Sequence, residues 1–112
     1  MITLYGIPNC DTVKKARVWL TENGHAYNFH DFKKQGVPEA ALDAWLAALG
    51  WEKVLNKQGT TWKKLPDEVK ASVVDAASAK AVLLANSSCI KRPVIDWDDG
   101  RLTLGYTPQV WG

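Results

Sequence analysis

The chain has 112 residues, of which 46% are hydrophobic and 23% are charged. This length and composition predict one soluble globular domain and exclude a disordered or fibrous chain. The 14 basic and 12 acidic residues give a net charge of +2, which is too small to predict a nucleic-acid partner. No apolar run approaches the roughly 20 residues that span a bilayer, and no leader-like segment opens the sequence. We therefore expect a cytoplasmic protein without a membrane partner.

The first cysteine stands where a short apolar strand gives way to a helix. Ile2 to Gly6 is predicted to be the strand, and apolar residues at helical spacing predict a helix from Asp11 to Asn23. Cys10 lies between them. The free N–H groups and positive dipole end of a helix start lower the pKa of a thiol. This position therefore predicts a nucleophilic thiolate, and the alternative is that Cys10 is a small buried hydrophobe.

Neighbouring residues refine this prediction. Lys14 follows Cys10 by four residues on the same helical face, so its charge is expected to favour the thiolate. Asp11 opposes it in sign or else caps the helix. Position 13 is Val13, so the chain has no Cys-x-x-Cys pair and the chemistry is expected to use one sulfur. The other cysteine, Cys89, is either a helix-end thiol packed near the core or a resolving partner for Cys10.

A second strand and a helical block follow. Ala26 to Phe32 is predicted to be a strand, which completes a βαβ unit with parallel strands. Residues 33–89 show no strand pattern. Within them we predict a helix from Pro38 to Gly50, a polar turn over Asn56 to Thr61, a helix starting at Leu65, and a helix with Ser78 as its N-cap running toward Asn86.

The end of the chain returns to strands. Val94 to Trp97 and Arg101 to Leu104 flank an Asp-Asp-Gly turn, which predicts a hairpin. Thr107 is then expected to cap a final helix. The assembled order is typical of an α/β, thioredoxin-like fold: a four-stranded mixed sheet with a helical insertion between strands 2 and 3. Residues 1–32 plus 90–112 would form the core and residues 33–89 the insert. In that fold a cis proline lies beside the active thiol, and Arg92-Pro93 stands at this position.

These ordered motifs resemble the arsenate reductase-like family, which includes the ArsC, Spx and YffB proteins, and they are closest to the YffB branch. The resemblance covers nearly the whole chain. The segments that carry it are Leu4 to Thr12, Gly59 to Leu65 and Ile90 to Ile95, with support from Asp75 to Ser78 and Leu104 to Tyr106.

The resemblance implies that Cys10 is the catalytic nucleophile and that Arg92, just before Pro93, holds the substrate. Asn9 and Lys14 would complete the substrate and glutathione site. Arsenate-reducing members use two more arginines, whose positions here fall near Asn56 and near Gly105, and a histidine, whose position here is Gly6. Arginine forks are suited to holding oxyanions. Because this chain lacks the two additional arginines, arsenate reduction ranks below other thiol chemistry.

The implied function is a glutathione-dependent thiol/disulfide reductase that works through a mixed disulfide on Cys10. Glutathione would be a co-substrate, and no bound cofactor or metal is expected. The partners would be a thiol or disulfide substrate and glutaredoxin, and we expect a monomer. Two alternatives stay open: an arsenate reductase that uses glutathione or glutaredoxin, and a non-enzymatic, Spx-like regulator that binds RNA polymerase. The redox switch of the latter has a second cysteine where this chain has Val13.

Two histidines offer a possible base for Cys10. His25 and His30 lie on the second predicted strand or at its entry. Solvated histidines at strand ends are commoner than catalytic ones. The two histidines and two cysteines also lack the spacing of a metal site.

Overall fold

The computed structural model describes residues 1–111. Its sheet has four strands in the order β2-β1-β3-β4. The strands are β1 (Ile2–Gly6), β2 (Tyr27–Asp31), β3 (Val94–Asp96) and β4 (Leu102–Leu104).

Both parallel and antiparallel pairs occur in this sheet. Strand β1 runs parallel to β2, and β3 is antiparallel to both β1 and β4. Helix α1 (Asp11–Glu22) forms the crossover that a parallel pair needs. The prediction of a four-stranded mixed sheet entered through a βαβ unit is therefore confirmed.

The apolar face of α1 packs on β1 and β3. Val13, Ala16 and Leu20 recur at intervals of three and four, so they lie on one helical face, and all three are buried. Together with residues of the sheet and the end of the chain they form one cluster: Leu4, Val13, Ala16, Leu20, Ile95, Trp97 and Trp111. This packing fixes the start of α1 at the end of β1, which is where Cys10 lies.

Six helices separate β2 from β3. They are α2 (Phe32–Gln35), α3 (Glu39–Leu49), α4 (Trp51–Val54), α5 (Thr60–Lys64), α6 (Asp67–Ser72) and α7 (Ala76–Ala85), followed by a 3₁₀ turn at Ser87–Cys89. The chain forms two compact units. One consists of Met1–Gly36 and the segment from Arg92 onward, and the other of Val37–Lys91.

The second unit is built around α3 and α7. Each helix has a buried apolar face, and Lys80 of α7 bridges two carboxylates of α3, with Nζ 2.8 Å from Glu39 and 2.9 Å from Asp43. The buried apolar side chains of these two helices are Leu42, Trp45, Leu46, Ala79, Val82 and Leu83. None of the helices within residues 1–111 has the length and apolar character needed to span a bilayer.

The helical segment differs from the predictions at several points. Helices α2 and α4 were not predicted, and Phe32 begins α2 instead of ending the second strand. Part of the turn predicted over Asn56 to Thr61 is helical, because α5 begins at Thr60. The N-cap of α7 is Asp75, not Ser78. The Asp75 carboxylate accepts from the Ser78 N–H at 2.9 Å, and the Ser78 hydroxyl accepts from the Asp75 N–H at 3.1 Å. Ser78 is thus the third helical residue of a capping box.

The end of the chain is also shorter in regular structure than predicted. The hairpin is present, but β3 ends at Asp96 and β4 begins at Leu102. The connecting turn needs left-handed backbone at Asp98 (φ 59°) and Gly100 (φ 93°). The helix predicted after Thr107 is a 3₁₀ turn at Pro108–Val110.

Candidate active site

Cys10 is the N-cap residue of α1. Its backbone is extended (φ −108°, ψ 124°), and its carbonyl accepts the first helical hydrogen bond from the Lys14 N–H at 2.9 Å. The thiol is partly exposed. Asp11 is the first residue inside the helix, so the predicted alternative that it caps α1 is wrong.

The surroundings of Cys10 lower its pKa. Burial of the thiol raises the pKa, but the Val13 N–H, the Arg92 side chain and the Thr12 N–H all donate hydrogen bonds to the sulfur, and the Arg92 charge adds to them. The donors together outweigh the burial, so the pKa lies below its ordinary value. The N–H groups at the start of α1 thus lower the pKa of Cys10, as the sequence predicts.

Arg92 supplies a charge that favours the thiolate. Lys14 is exposed, and it is not among the groups that lower the Cys10 pKa. A contribution of Lys14 to the thiolate stays a prediction. Asn9 is likewise exposed, in the turn before Cys10.

Arg92 is followed by a cis peptide bond to Pro93, as predicted. Arg92 is partly buried and Pro93 is buried. The Pro93 carbonyl accepts from the Gly105 N–H at 2.9 Å, and Gly105 has a left-handed backbone (φ 77°). This turn lies near where the arsenate-reducing relatives are expected to carry an arginine.

The structure also explains why position 6 is a glycine. A Cβ atom at Gly6 would lie 2.8 Å from Cγ2 of Val13, and both residues are buried. There is accordingly no room for a histidine beside the present Val13. The contact between Gly6 and Val13 joins the end of β1 to the first turn of α1. Sequence reasoning missed it, because nothing in the spacing shows that these residues touch.

The remaining cysteine and the histidines have other surroundings. Cys89 is fully buried in its 3₁₀ turn, and its carbonyl accepts from the Asn56 N–H at 2.8 Å. The ring of His25 stacks on Trp19, and Nε2 of His30 lies 2.8 Å from the Gly36 carbonyl. In the part of the chain that the structure describes, no three His, Cys, Asp or Glu side chains are grouped so that they could hold a metal.

Comparison with known proteins shows relatives that match nearly the whole length of this chain. The model of the ArsC family matches residues 5–112. An uncharacterized protein of Haemophilus influenzae is 42% identical over 109 residues, which cover 97% of this chain and 94% of that protein. The global transcriptional regulator Spx of Streptococcus agalactiae is 27% identical over 108 residues, which cover 95% of this chain and 77% of the regulator.

Solved structures show the same relationship. A YffB protein superposes with a TM-score of 0.93 at 46% identity, covering 99% of this chain and 96% of its own. An arsenate reductase-related protein from Brucella melitensis has a TM-score of 0.76 at 49% identity, covering 98% of this chain and 90% of its own. An arsenate reductase from Vibrio cholerae, at 16% identity and a TM-score of 0.79, shares the fold.

Proposed function

The chain belongs to the ArsC family, and we propose that within it this protein is a glutathione-dependent thiol reductase with Cys10 as its nucleophile. The observation that carries this proposal is the lowered pKa of Cys10, produced by two backbone N–H groups and Arg92. Thiolate is the reactive form of cysteine, and it is also the better leaving group in the second step of the reaction.

The proposed reaction has two thiol–disulfide exchanges. In the first, the Cys10 thiolate attacks the glutathione sulfur of a substrate–glutathione disulfide. A bond forms between Cys10 and glutathione, the substrate disulfide breaks, and the substrate sulfur leaves as a thiolate that takes a proton from solvent. In the second, the thiolate of another glutathione attacks this mixed disulfide, and glutathione disulfide and the Cys10 thiolate are released. The sum is one substrate disulfide reduced and one glutathione disulfide formed.

The other site residues have binding roles in this proposal. Arg92 and Lys14 would hold glutathione carboxylates, with Arg92 offering the planar fork that suits a carboxylate. The Asn9 side chain, in the turn before Cys10, would donate a hydrogen bond to glutathione. The backbone beside Pro93 would align the glutathione peptide as the edge of a sheet does. Glutaredoxin is a further candidate for the second thiol.

Arsenate reduction is less well supported. The chain lacks two of the three arginines expected in arsenate-reducing relatives, and each charge-assisted hydrogen bond lost removes about 1.5–3 kcal/mol. Of their approximate positions, Gly105 has no side chain, and the Asn56 side chain accepts from the Gln58 N–H at 3.1 Å. We expect arsenate turnover no higher than that of a Cys10→Ser variant.

A regulator is the second candidate, because Spx is 27% identical over most of this chain. In this case Cys10 would act as a sensor in a polymerase-binding protein. Turnover separates the two functions. Capture of RNA polymerase by the purified chain, without catalytic reduction of a disulfide, would favour the regulator.

The test is a coupled assay of glutathione disulfide production from the mixed disulfide of glutathione and 2-mercaptoethanol. We expect turnover in the wild type and in a Cys89→Ser variant, and none in Cys10→Ser. A glutathione adduct on Cys10 should be trapped when the second glutathione is withheld. If Cys10 is free and no adduct forms with oxidised glutathione, the proposal is wrong.

A further inference from the structure

An open groove of about 280 Å³ runs along the outer face of α1. It lies wholly within the unit that contains the sheet. Its lining consists of aromatic and apolar side chains in the middle and charged ones at the ends: Lys14, Lys15, Val18, Trp19, Glu22 and Tyr106.

The aromatic walls of the groove are held in place from behind. The Trp19 ring stacks on His25 at 5.7 Å and meets the edge of Trp111 at 5.1 Å. Tyr106 packs edge-to-face on the same Trp111 at 5.4 Å, and Trp111 is only 2% exposed. Both walls therefore rest on one buried ring, and a ligand would lose little free energy in ordering them.

An apolar residue and two opposite charges face the solvent along this groove. Val18 lies between them and is 55% exposed. Lys15 and Glu22 are exposed, and neither forms a salt bridge within residues 1–111. They lie seven residues apart on α1, which is about 10.5 Å along the axis. The groove thus has a positive end, an apolar middle and a negative end.

The positive end of the groove adjoins the candidate active site. Lys14, which lines the groove, follows Cys10 by four residues and so lies one helical turn farther along the same face of α1. On the other side, Tyr106 directly follows Gly105, whose N–H donates to the Pro93 carbonyl at 2.9 Å. A substrate whose disulfide lies at Cys10 can therefore extend from it into the groove.

We infer that this groove binds the polypeptide segment beside the glutathionylated cysteine of a protein substrate. The segment carries an acidic residue toward Lys15, an aromatic residue between Trp19 and Tyr106, and a basic residue toward Glu22. Three residues of extended chain span about 10 Å, so the acidic and basic residues lie three positions apart. The role of the groove in catalysis rests on the proposed reductase function, but the binding does not.

The test measures binding without chemistry, in the Cys10→Ser chain. The probes are the capped peptides Glu-Phe-Ala-Lys and Glu-Phe-Ala-Glu, which differ only in the charge of the last residue. Titration is followed by NMR at the Trp19 indole N–H. Because each exposed ion pair contributes little, we expect about fivefold tighter binding of Glu-Phe-Ala-Lys. A Glu22→Lys variant, in which both ends of the groove are positive, should invert that preference.

Controls separate this inference from the proposed function. Tyr106→Ala should lose binding of both peptides, and Lys34→Glu, a charge change outside the groove, should leave the preference intact. Equal affinity for the two peptides, or a preference for Glu-Phe-Ala-Lys that survives Glu22→Lys, would overturn the inference. Saturation of the Trp19 signal by glutathione alone, without peptide preference, would also do so. If the peptides bind as expected but the small mixed disulfide is not turned over, the reductase proposal falls and the binding site stands.

Discussion

At the scale of single residues, the chemistry of the candidate site depends on one guanidinium beside one sulfur. Arg92 both donates a hydrogen bond to Cys10 and contributes its charge. Replacing it by methionine removes both effects, so the pKa of Cys10 should rise. Allowing for solvent screening at a partly exposed thiol, alkylation by iodoacetamide at pH 7 should slow about five- to tenfold. Arg92→Lys keeps the charge without the planar fork and should be intermediate. An unchanged rate in Arg92→Met would refute this role.

The pH dependence of the same thiol has a definite sign. Because the pKa of Cys10 is lowered in the folded chain, the thiolate should form below the value of about 8.5 found for free cysteine. Thiolate absorbance in a Cys89→Ala background should report this midpoint. Any stabilisation by the thiolate is present above the unfolded pKa and is lost as pH falls through the folded pKa. The stability difference between this chain and its Cys10→Ser variant should therefore grow as pH rises. A midpoint at or above that of free cysteine would contradict the structure.

At the scale of elements, the spacing of apolar residues predicts a helix well when the helix is long enough to repeat that spacing. Helix α1 has three buried residues at helical spacing, and the helix and its end were predicted almost to the residue. The cis bond at Pro93 was expected from the resemblance to a known fold, and not from composition. Helix α4 has four residues and α5 has five. Such short helices show no complete period, so the sequence alone could not separate them from turns.

The parts of the site that spacing along the chain cannot show depend on tertiary contacts. Arg92 is 82 positions from Cys10 in the sequence, and only the fold brings the two together. Arg92 was therefore predicted from the family resemblance and not from helical spacing, which indicated only Lys14. The pair of Gly6 and Val13 was missed because it too is a tertiary contact.

The packing of Gly6 against Val13 can be tested directly. Gly6→Ala places a methyl group 2.8 Å from Cγ2 of Val13 in a buried region, and such overpacking costs about 1–3 kcal/mol. Urea denaturation should show this loss. The double variant with Val13→Ala should be less destabilised than the sum of the two single variants, since the two changes relieve each other. If the losses of unfolding free energy in the two single variants simply add in the double variant, the contact with Val13 is not what excludes larger side chains at position 6.

At the scale of the whole molecule, the two cysteines should behave differently on oxidation. Cys10 is partly exposed with a lowered pKa, and Cys89 is fully buried. Treatment with oxidised glutathione should therefore add one glutathione, on Cys10, as measured by mass spectrometry of the intact chain and its peptides. The same treatment in urea should modify both thiols. An internal Cys10–Cys89 disulfide in the folded chain would show that Cys89 is a resolving thiol after all.

The left-handed backbone at Gly105 affects which side chains this loop can carry. An L-amino acid in that conformation costs roughly 1–2 kcal/mol, and the same residue holds the Pro93 carbonyl through its N–H. An arginine introduced there keeps that N–H donor but places a side chain on left-handed backbone next to Arg92. A gain of oxyanion affinity at this position would therefore be accompanied by a loss of stability of about this size.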